Sequence, residues 1–302
     1  MPTDETPDLT VVVPSVNGWT ALEPCLQALF EQQGDPRLEI LLPDRLGPAV
    51  RTEVARRYPA VRILEAEPGT TIPALRAIAF RAATAPIVGV IEDHLIVPPD
   101  WASKMLTAHR NGAQVVGGSI ENAALDRLSD RAAFLCEYGH CLTPPPPGPA
   151  PALPGNNITY RSDLLERFAH VIERGGWEYE LHEALRLGGV ELENRPEISA
   201  GHLMRYRHAW EYAGQRFLYS RSFAALRLRD RGLLTRVGYG LAATVLPPIL
   251  LARLVSRVWR SPSHRADLFR SLPLQLLFVT AWAAGETAGA WLGPGDALGR
   301  VR

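Results

Sequence analysis

Short apolar runs alternate with stretches of helical periodicity through the first two thirds of the chain. Leu9 to Val13 is an apolar, β-branched run ended by Pro14, which predicts a strand. Thr20 to Gln33 then places Leu22, Leu26 and Leu29-Phe30 at helical spacing before Gly34-Asp35-Pro36 stops it. The pattern recurs as strand Glu39 to Leu42, helix Pro48 to Tyr58, strand Val61 to Glu65, helix Ile72 to Thr84 and strand Ile87 to Ile91. Helix Asp100 to Asn111 and strand Gln114 to Gly118 follow. Strands alternating with helices predict βαβ units and an α/β domain built on a mainly parallel sheet.

After Gly118 the alternation loosens. A helix over Ser129 to Glu137 leads into Thr143 to Pro154, where proline, glycine and alanine sustain neither helix nor ladder. That segment reads as a mobile loop, either an active-site lid or a plain linker. Arg161 to Arg167 predicts a short helix, Trp177 to Leu187 a helix stopped by Gly188-Gly189, and Val190 to Asn194 an edge strand. Two apolar stretches close the chain, Val237 to Ala252 and Ser271 to Gly293. At ~1.5 Å per residue the first is about 24 Å long, short of a ~30 Å hydrocarbon core, and Pro247-Pro248 interrupts it. The second is long enough to span, but it carries Gln275 and Glu286, which need partners in lipid. The expected division is a domain over 1–210 and a helical, membrane-associated region over 211–302.

The 302 residues carry 32 Lys+Arg against 32 Asp+Glu, so no overall basic excess points to nucleic acid. Cys25, Cys136 and Cys141 are odd in number and lack CxxC spacing, which fits a reducing cytosol. Met1 to Asp8 is polar and acidic, without the apolar core of a secretory signal. Arginines cluster before each apolar stretch, so the positive-inside rule selects no orientation for two crossings. A hairpin dipping into the cytoplasmic leaflet keeps both clusters at anionic headgroups. The expectation is a protein at the cytoplasmic face of the cell membrane, peripheral or re-entrant, with a buried helical pair as the alternative.

Chemistry concentrates at strand ends. Ile91-Glu92-Asp93-His94 closes the run from Ile87 and precedes Pro98-Pro99-Asp100-Trp101, which puts metal-capable side chains where ligands of open α/β sheets bind. In extended chain Glu92 and His94 share one face and Asp93 the other, leaving Glu92 with His94, or Asp93 alone, as ligating groups. Asn17 and Asp44 follow the first two strands and line the same edge. Asp44 can accept hydrogen bonds from a base or ribose. Asn156 and Asn157 can hold hydroxyl groups, with Gly155 allowing close approach.

The order of Thr10-Val11-Val12-Val13-Pro14-Ser15-Val16-Asn17, Glu39 to Asp44, Pro68-Gly69 to Arg76, Ile91-Glu92-Asp93-His94 with Pro98 to Trp101, and Gly155-Asn156-Asn157-Ile158-Thr159-Tyr160-Arg161 resembles the family 2 glycosyltransferases. The resemblance covers roughly Leu9 to His208. It implies the GT-A fold, a Rossmann-like mainly parallel sheet flanked by helices, here with C-terminal apolar helical segments. It implies a nucleotide-sugar donor, a UDP-sugar being expected, held by Pro14, Asn17, Asp44, Arg76, Glu92 and Asp93. A divalent ion, Mn2+ or Mg2+, is implied at the family's Asp-x-Asp position, which here reads Glu92-Asp93-His94, with His202 matching a histidine near the metal. The departures are the imidazole at the third position, Val16 where the family often has an aromatic residue, and Ala77 where an asparagine often follows the arginine. By the same resemblance Glu178 is the expected base, with Glu180 and His182 behind it, and Gly155, Asn156, Asn157 and Trp177 face the acceptor. The expected function is inverting transfer of a sugar to a lipid-linked or polysaccharide acceptor of the cell envelope. Its alternative is a non-catalytic nucleotide-sugar-binding or scaffold protein.

Overall fold

The computed structural model describes residues 6–142 and 146–302 and divides the chain into two compact units. The first comprises Met1–Glu121 and Pro145–Leu203, the second Asn122–Pro144 and Met204–Arg302. The sequence suggested one division near residue 210. Asn122–Pro144 falls in the same unit as the C-terminal helices.

In chain order the first part reads β1 (Leu9–Val12), α1 (Trp19–Phe30), β2 (Leu38–Asp44), α2 (Pro48–Arg57), β3 (Arg62–Glu65), α3 (Ile72–Ala82), β4 (Ile87–Ile91), β5 (Leu95–Ile96), α4 (Trp101–Arg110) and β6 (Val115–Asn122). Helix α5 (Leu128–Tyr138) lies in the second unit. Then come β7 (Gly148–Pro149), β8 (Asn157–Arg161), α6 (Ser162–Arg167), α7 (Ala169–Ile172), α8 (Glu178–Leu187) and β9 (Leu192–His202). The described strands form one sheet in the order β3-β2-β1-β4-β8-β6-β9-β5, with β7 on β9. Strands β3, β2, β1 and β4 run parallel, and β8 joins β4 antiparallel, with Ile91 opposite Asn157. The central strands are buried on both faces, which is why they read as unbroken β-branched runs. Thr71 caps α3 by accepting from Ala74 N–H, and Pro73 sits in the first turn, where its missing N–H costs nothing.

Two expectations need correction. The strand expected over Val190 to Asn194 runs on to His202 and lies inside the sheet. Its inward residues Leu192, Asn194, Ile198, Ala200 and His202 alternate with Glu193, Arg195 and Glu197, and Pro196 hid that alternation. The segment expected as a loop over Thr143 to Pro154 contributes β7 to the edge of β9. Its residues 143–145 lie outside the described ones.

The second unit is helical: α5, α9 (Ala209–Arg227), α10 (Leu233–Ala243), α11 (Leu246–Trp259), a 3-10 turn at Pro262–His264, α12 (Arg265–Arg270), α13 (Leu272–Leu292) and α14 (Ala297–Arg300). Gly285 and Gly289 let α13 lie backbone to backbone on α9. A Cβ at either would stand 2.3 Å from the Phe217 carbonyl oxygen or 2.2 Å from that of Arg221. Two buried polar residues of this apolar helix find partners inside the unit, although the Gln275 Oε1 has none among the described residues. Gln275 donates to the Ala132 carbonyl at 2.9 Å, and Glu286 accepts from Tyr239 at 2.7 Å and from Trp282 Nε1 at 3.2 Å. The apolar stretch over Val237 to Ala252 is interrupted after Ala243, and Pro247 and Pro248 occupy the first turn of α11, which starts at Leu246. No single described helix is long and apolar enough to cross a membrane, although two bent pairs pass by length and composition, α10 with α11 at 59° and Pro262–Arg270 with α13 at 82°.

Candidate active site

Four strand ends and one helix start build the site. Glu92, Asp93 and His94 leave β4 not in extended chain, as the sequence suggested, but in a turn closed by Leu95 N–H donating to the Glu92 carbonyl at 3.0 Å, and β5 follows at once. Strand β5 pairs with the far end of β9, Leu95 opposite His202, and Leu203 N–H donates to the His94 carbonyl at 2.9 Å. That pairing carries His202, 108 residues downstream, onto the motif. The two imidazoles meet edge to face with Nε2 atoms 3.0 Å apart, and Glu92 Oε2 lies 3.3 Å from His94 Nε2. One ligand atom from each of Glu92, His94 and His202 falls within 4.8 Å of the others. Both rings are buried, whereas Glu92 is partly exposed, so the cluster opens to solvent on its carboxylate side.

Asp93, inside the turn, is directed to the segment after Pro14. Its Oδ2 accepts from the N–H groups of Val16 and Asn17 at 2.7 and 2.8 Å, and its Oδ1 from Asn17 Nδ2 at 2.8 Å. It also holds His94 Nδ1 at 3.1 Å. Asp93 thus ties the turn after Pro14 to the motif and fixes which His94 nitrogen faces the cluster, as carboxylates behind metal-ligating histidines commonly do.

The electrostatics of the cluster are those of a cation holder. Burial alone would strip His94 of its proton, but its hydrogen bonds to Asp93 and Glu92 reverse that and hold its pKa far above the usual histidine range. Partial loss of water works to raise Glu92, but the hydrogen bond and charge of His94 outweigh it and hold the carboxyl low. His202 is pushed down by burial and then by the charge on His94. A site that draws a proton in between a carboxylate and two facing imidazole nitrogens has the donor set for a divalent ion. Two nitrogens and one oxygen suit a transition metal better than magnesium.

Glu178 opens α8, and its Oε2 accepts from Arg76 at 2.7 Å. Arg76, expected at the donor, is buried on α3 with Glu178 as its ion partner. Gly155 is glycine because Glu178 packs on it: a Cβ there would stand 2.1 Å from Glu178 Cγ. The close approach expected at Gly155 is therefore made by the neighbouring carboxylate. Asn156 reaches the cluster, donating from Nδ2 to Glu92 Oε2 at 2.8 Å. Arg76, Gly155 and Asn156 thereby bring Glu178 beside the cation-ready triad.

Asn157, expected at the acceptor, has its amide engaged within the sheet. It is fully buried, donates to the Ser119 and Ile198 carbonyls at 2.8 and 2.9 Å, and accepts from Trp101 Nε1 at 2.9 Å. Both amide hydrogens and the oxygen are spent on holding β8, β6 and β9 together. Gly118 makes room for it, since a Cβ there would stand 2.4 Å from Asn157 Nδ2. Asp44 is likewise buried, accepting from Leu46 N–H at 3.3 Å, Gly47 N–H at 3.0 Å and Arg51 Nε at 2.8 Å. Its carboxylate shapes the turn after β2 rather than opening onto a cleft. Pro14 is buried after β1, and Trp177 is buried as the residue before α8. Glu180 packs its carboxylate against Gly176, where a Cβ would stand 2.4 Å away. His182 is buried with Nε2 2.8 Å from the Tyr160 hydroxyl, and burial lowers its pKa to about 4.

Tyr160 escaped the sequence reading. It is buried beside a small cavity that Arg76, Trp177 and Glu178 also line, and its hydroxyl meets His182 Nε2. The available signal was its place two residues after Ile158 on the inward face of β8.

Residues 10–139 match the family described as glycosyl transferase family 2. No curated protein matches the chain. Among solved structures it is similar to the mannosyltransferase PcManGT from Pyrobaculum calidifontis, in complex with GDP-Man and Mn2+, at 19% identity and a TM-score of 0.52, over 98% of this chain and 91% of that one. It is also similar to GalNAc-T7 with UDP, GalNAc and Mn2+, at 14% identity and a TM-score of 0.54, over 67% of this chain and 44% of that one.

Proposed function

We propose that this chain, whose residues 10–139 match glycosyl transferase family 2, transfers a sugar from a nucleotide donor with inversion at the anomeric carbon, using Glu178 as base and a divalent ion at Glu92, His94 and His202. The observation that carries the reading is the convergence of those three side chains beside Glu178. In the proposed step the acceptor hydroxyl gives its proton to the Glu178 carboxylate while its oxygen bonds to the anomeric carbon. The bond from that carbon to the diphosphate breaks, and the nucleoside diphosphate leaves with the electron pair. When bound, the ion supplies positive charge to the diphosphate. Arg76 fixes the direction of the Glu178 carboxylate, and Gly155 sets its distance from Asn156. The imidazole pair favours Mn2+ over Mg2+.

The donor is a nucleoside-diphosphate sugar, with a UDP-sugar as the first to test. The acceptor is a lipid-linked or polysaccharide glycan, met at the cytoplasmic face of the cell membrane. Support for that location comes from the apolar side chains that the second unit exposes on α10 and α11. Glu178→Gln tests the reading. Turnover should fall by ~10²–10⁴-fold with donor affinity unchanged, since the change removes the base and keeps the shape. Normal turnover would end the assignment, and failure of the wild type to bind any nucleotide sugar with Mn2+ would favour a scaffold role.

A further inference from the structure

The two apolar stretches of the second unit have different fates. Helix α13 buries one face, with Phe278, Val279, Ala283 and Ala290 on it, and leaves Leu276 and Leu292 exposed. Helices α10 and α11 bury little: only Gly240 and Ala243 of the first, and Leu254 and Val258 of the second. Leu233 is 75% exposed, Leu234 89%, Leu241 58% and Val245 59%, with Val237 and Ile249 also exposed. Large aliphatic side chains this open, repeated over one bent element, form a patch that a soluble surface rarely carries.

Charge frames that patch. Between residues 231 and 266 there are six arginines, Arg231, Arg236, Arg253, Arg257, Arg260 and Arg265, and no aspartate or glutamate. From Leu233 to Ala252 the only charge is Arg236, whose Nε donates to the Ala290 carbonyl at 2.9 Å. Ile249, Arg253, Arg257 and Arg260 share the solvent face of α11 at helical spacing, so this face is apolar near the 59° bend and basic beyond it. Arg231, Arg253, Arg257 and Arg260 are exposed, and none has a carboxylate within 4.0 Å among the described residues. Trp259 is exposed at the same basic end, with Arg265 over its ring at 4.9 Å. An apolar bend flanked by unpaired arginines and a tryptophan complements a leaflet whose hydrocarbon lies beneath phosphate headgroups.

We propose that the α10–α11 bend is a wedge that enters one leaflet of an anionic membrane, its leucines and valines in the acyl region and Arg231, Arg253, Arg257 and Arg260 on lipid phosphates. The inference rests on the membrane location proposed above. It deepens that reading by naming the inserting element and specifying anionic lipid.

Flotation of the full chain with vesicles tests it, using phosphatidylcholine alone and phosphatidylcholine with phosphatidylglycerol. The wild type should float with the anionic vesicles and only weakly with the neutral ones. Leu234→Ser with Leu241→Ser should abolish flotation. Arg253→Ala with Arg257→Ala should weaken anionic binding by about fivefold per arginine and flatten its salt dependence. All these side chains are exposed, so circular dichroism and nucleotide-sugar hydrolysis should stay at wild-type levels in both variants. Flotation of both variants like the wild type would overturn the wedge while leaving the membrane location standing. Absence of wild-type flotation with either vesicle would overturn both. A leucine variant that changes the sedimenting mass in the absence of lipid would assign the patch to a second copy of the chain and overturn the wedge as well.

Discussion

Two strands of the same sheet end in a carboxylate, and the two ends have opposite characters. At the end of β2 the Asp44 carboxylate is spent, on two backbone N–H groups of its own turn and on Arg51. After β4 the Glu92 carboxylate faces two imidazole nitrogens and accepts from Asn156, with one side open to solvent. A buried carboxylate is therefore not a site by itself. What separates the two is whether neighbouring donors exhaust its acceptors or leave a gathering of lone pairs that needs a cation. Glu286 of α13 falls with Asp44, since Tyr239 and Trp282 answer it.

Neutralising each carboxylate should break the comparison most visibly. Glu92→Gln should lower metal-dependent turnover by about 10²-fold or more with a small change in melting temperature. Asp44→Asn should do the reverse, costing about 1–3 kcal/mol of stability in thermal or urea unfolding while turnover stays within a few-fold of wild type. If Asp44→Asn instead raised the donor KM without destabilising the fold, Asp44 would belong to the donor site after all.

The adjacent asparagines sharpen the same distinction at smaller scale. Asn156→Ala should cost ~10-fold or more in metal-dependent activity, because it frees the Glu92 oxygen that the amide holds, and leave stability nearly unchanged. Asn157→Ala should leave Trp101 Nε1 and two strand carbonyls unanswered, at about 1–3 kcal/mol of stability. Equal effects on both readouts would contradict the division of labour.

The smallest effect concerns a spent histidine. His109 holds the Ala113 carbonyl and the Thr159 hydroxyl, and burial lowers its pKa from 6.5 to about 4. Between those values the unfolded chain binds the proton and the folded chain does not. Its contribution is thus complete above pH 6.5 and lost as pH falls toward 4. His109→Gln should flatten the fall of melting temperature across that window, and an unchanged slope would contradict the assignment.

Which parts were legible in the sequence follows from the same physics. Strands β1, β2 and β4 announce themselves because burial on both faces demands β-branched runs, whereas Glu92 and His94 come together through a turn that alternation in extended chain does not describe. Strand β9 did not announce itself, because Pro196 and the charges at 193, 195 and 197 resemble a loop. With it went the reason His202 reaches His94, which is the two-residue pairing of β5 on β9. The Arg76–Glu178 pair joins residues 102 apart and leaves no local trace. Asn156 and Asn157 are indistinguishable without the β4–β8 register, which sets Asn157 opposite Ile91 and leaves Asn156 beyond the ladder beside Glu92.

The central claim is that Glu92, His94 and His202 form one divalent-cation site. Mn2+ titration of the full chain, followed by electron paramagnetic resonance of the free ion with and without UDP, tests it most directly. One bound ion per chain is expected in the wild type, with affinity lost in His202→Ala and retained in Asp44→Asn. Equal Mn2+ binding by wild type and His202→Ala would contradict it.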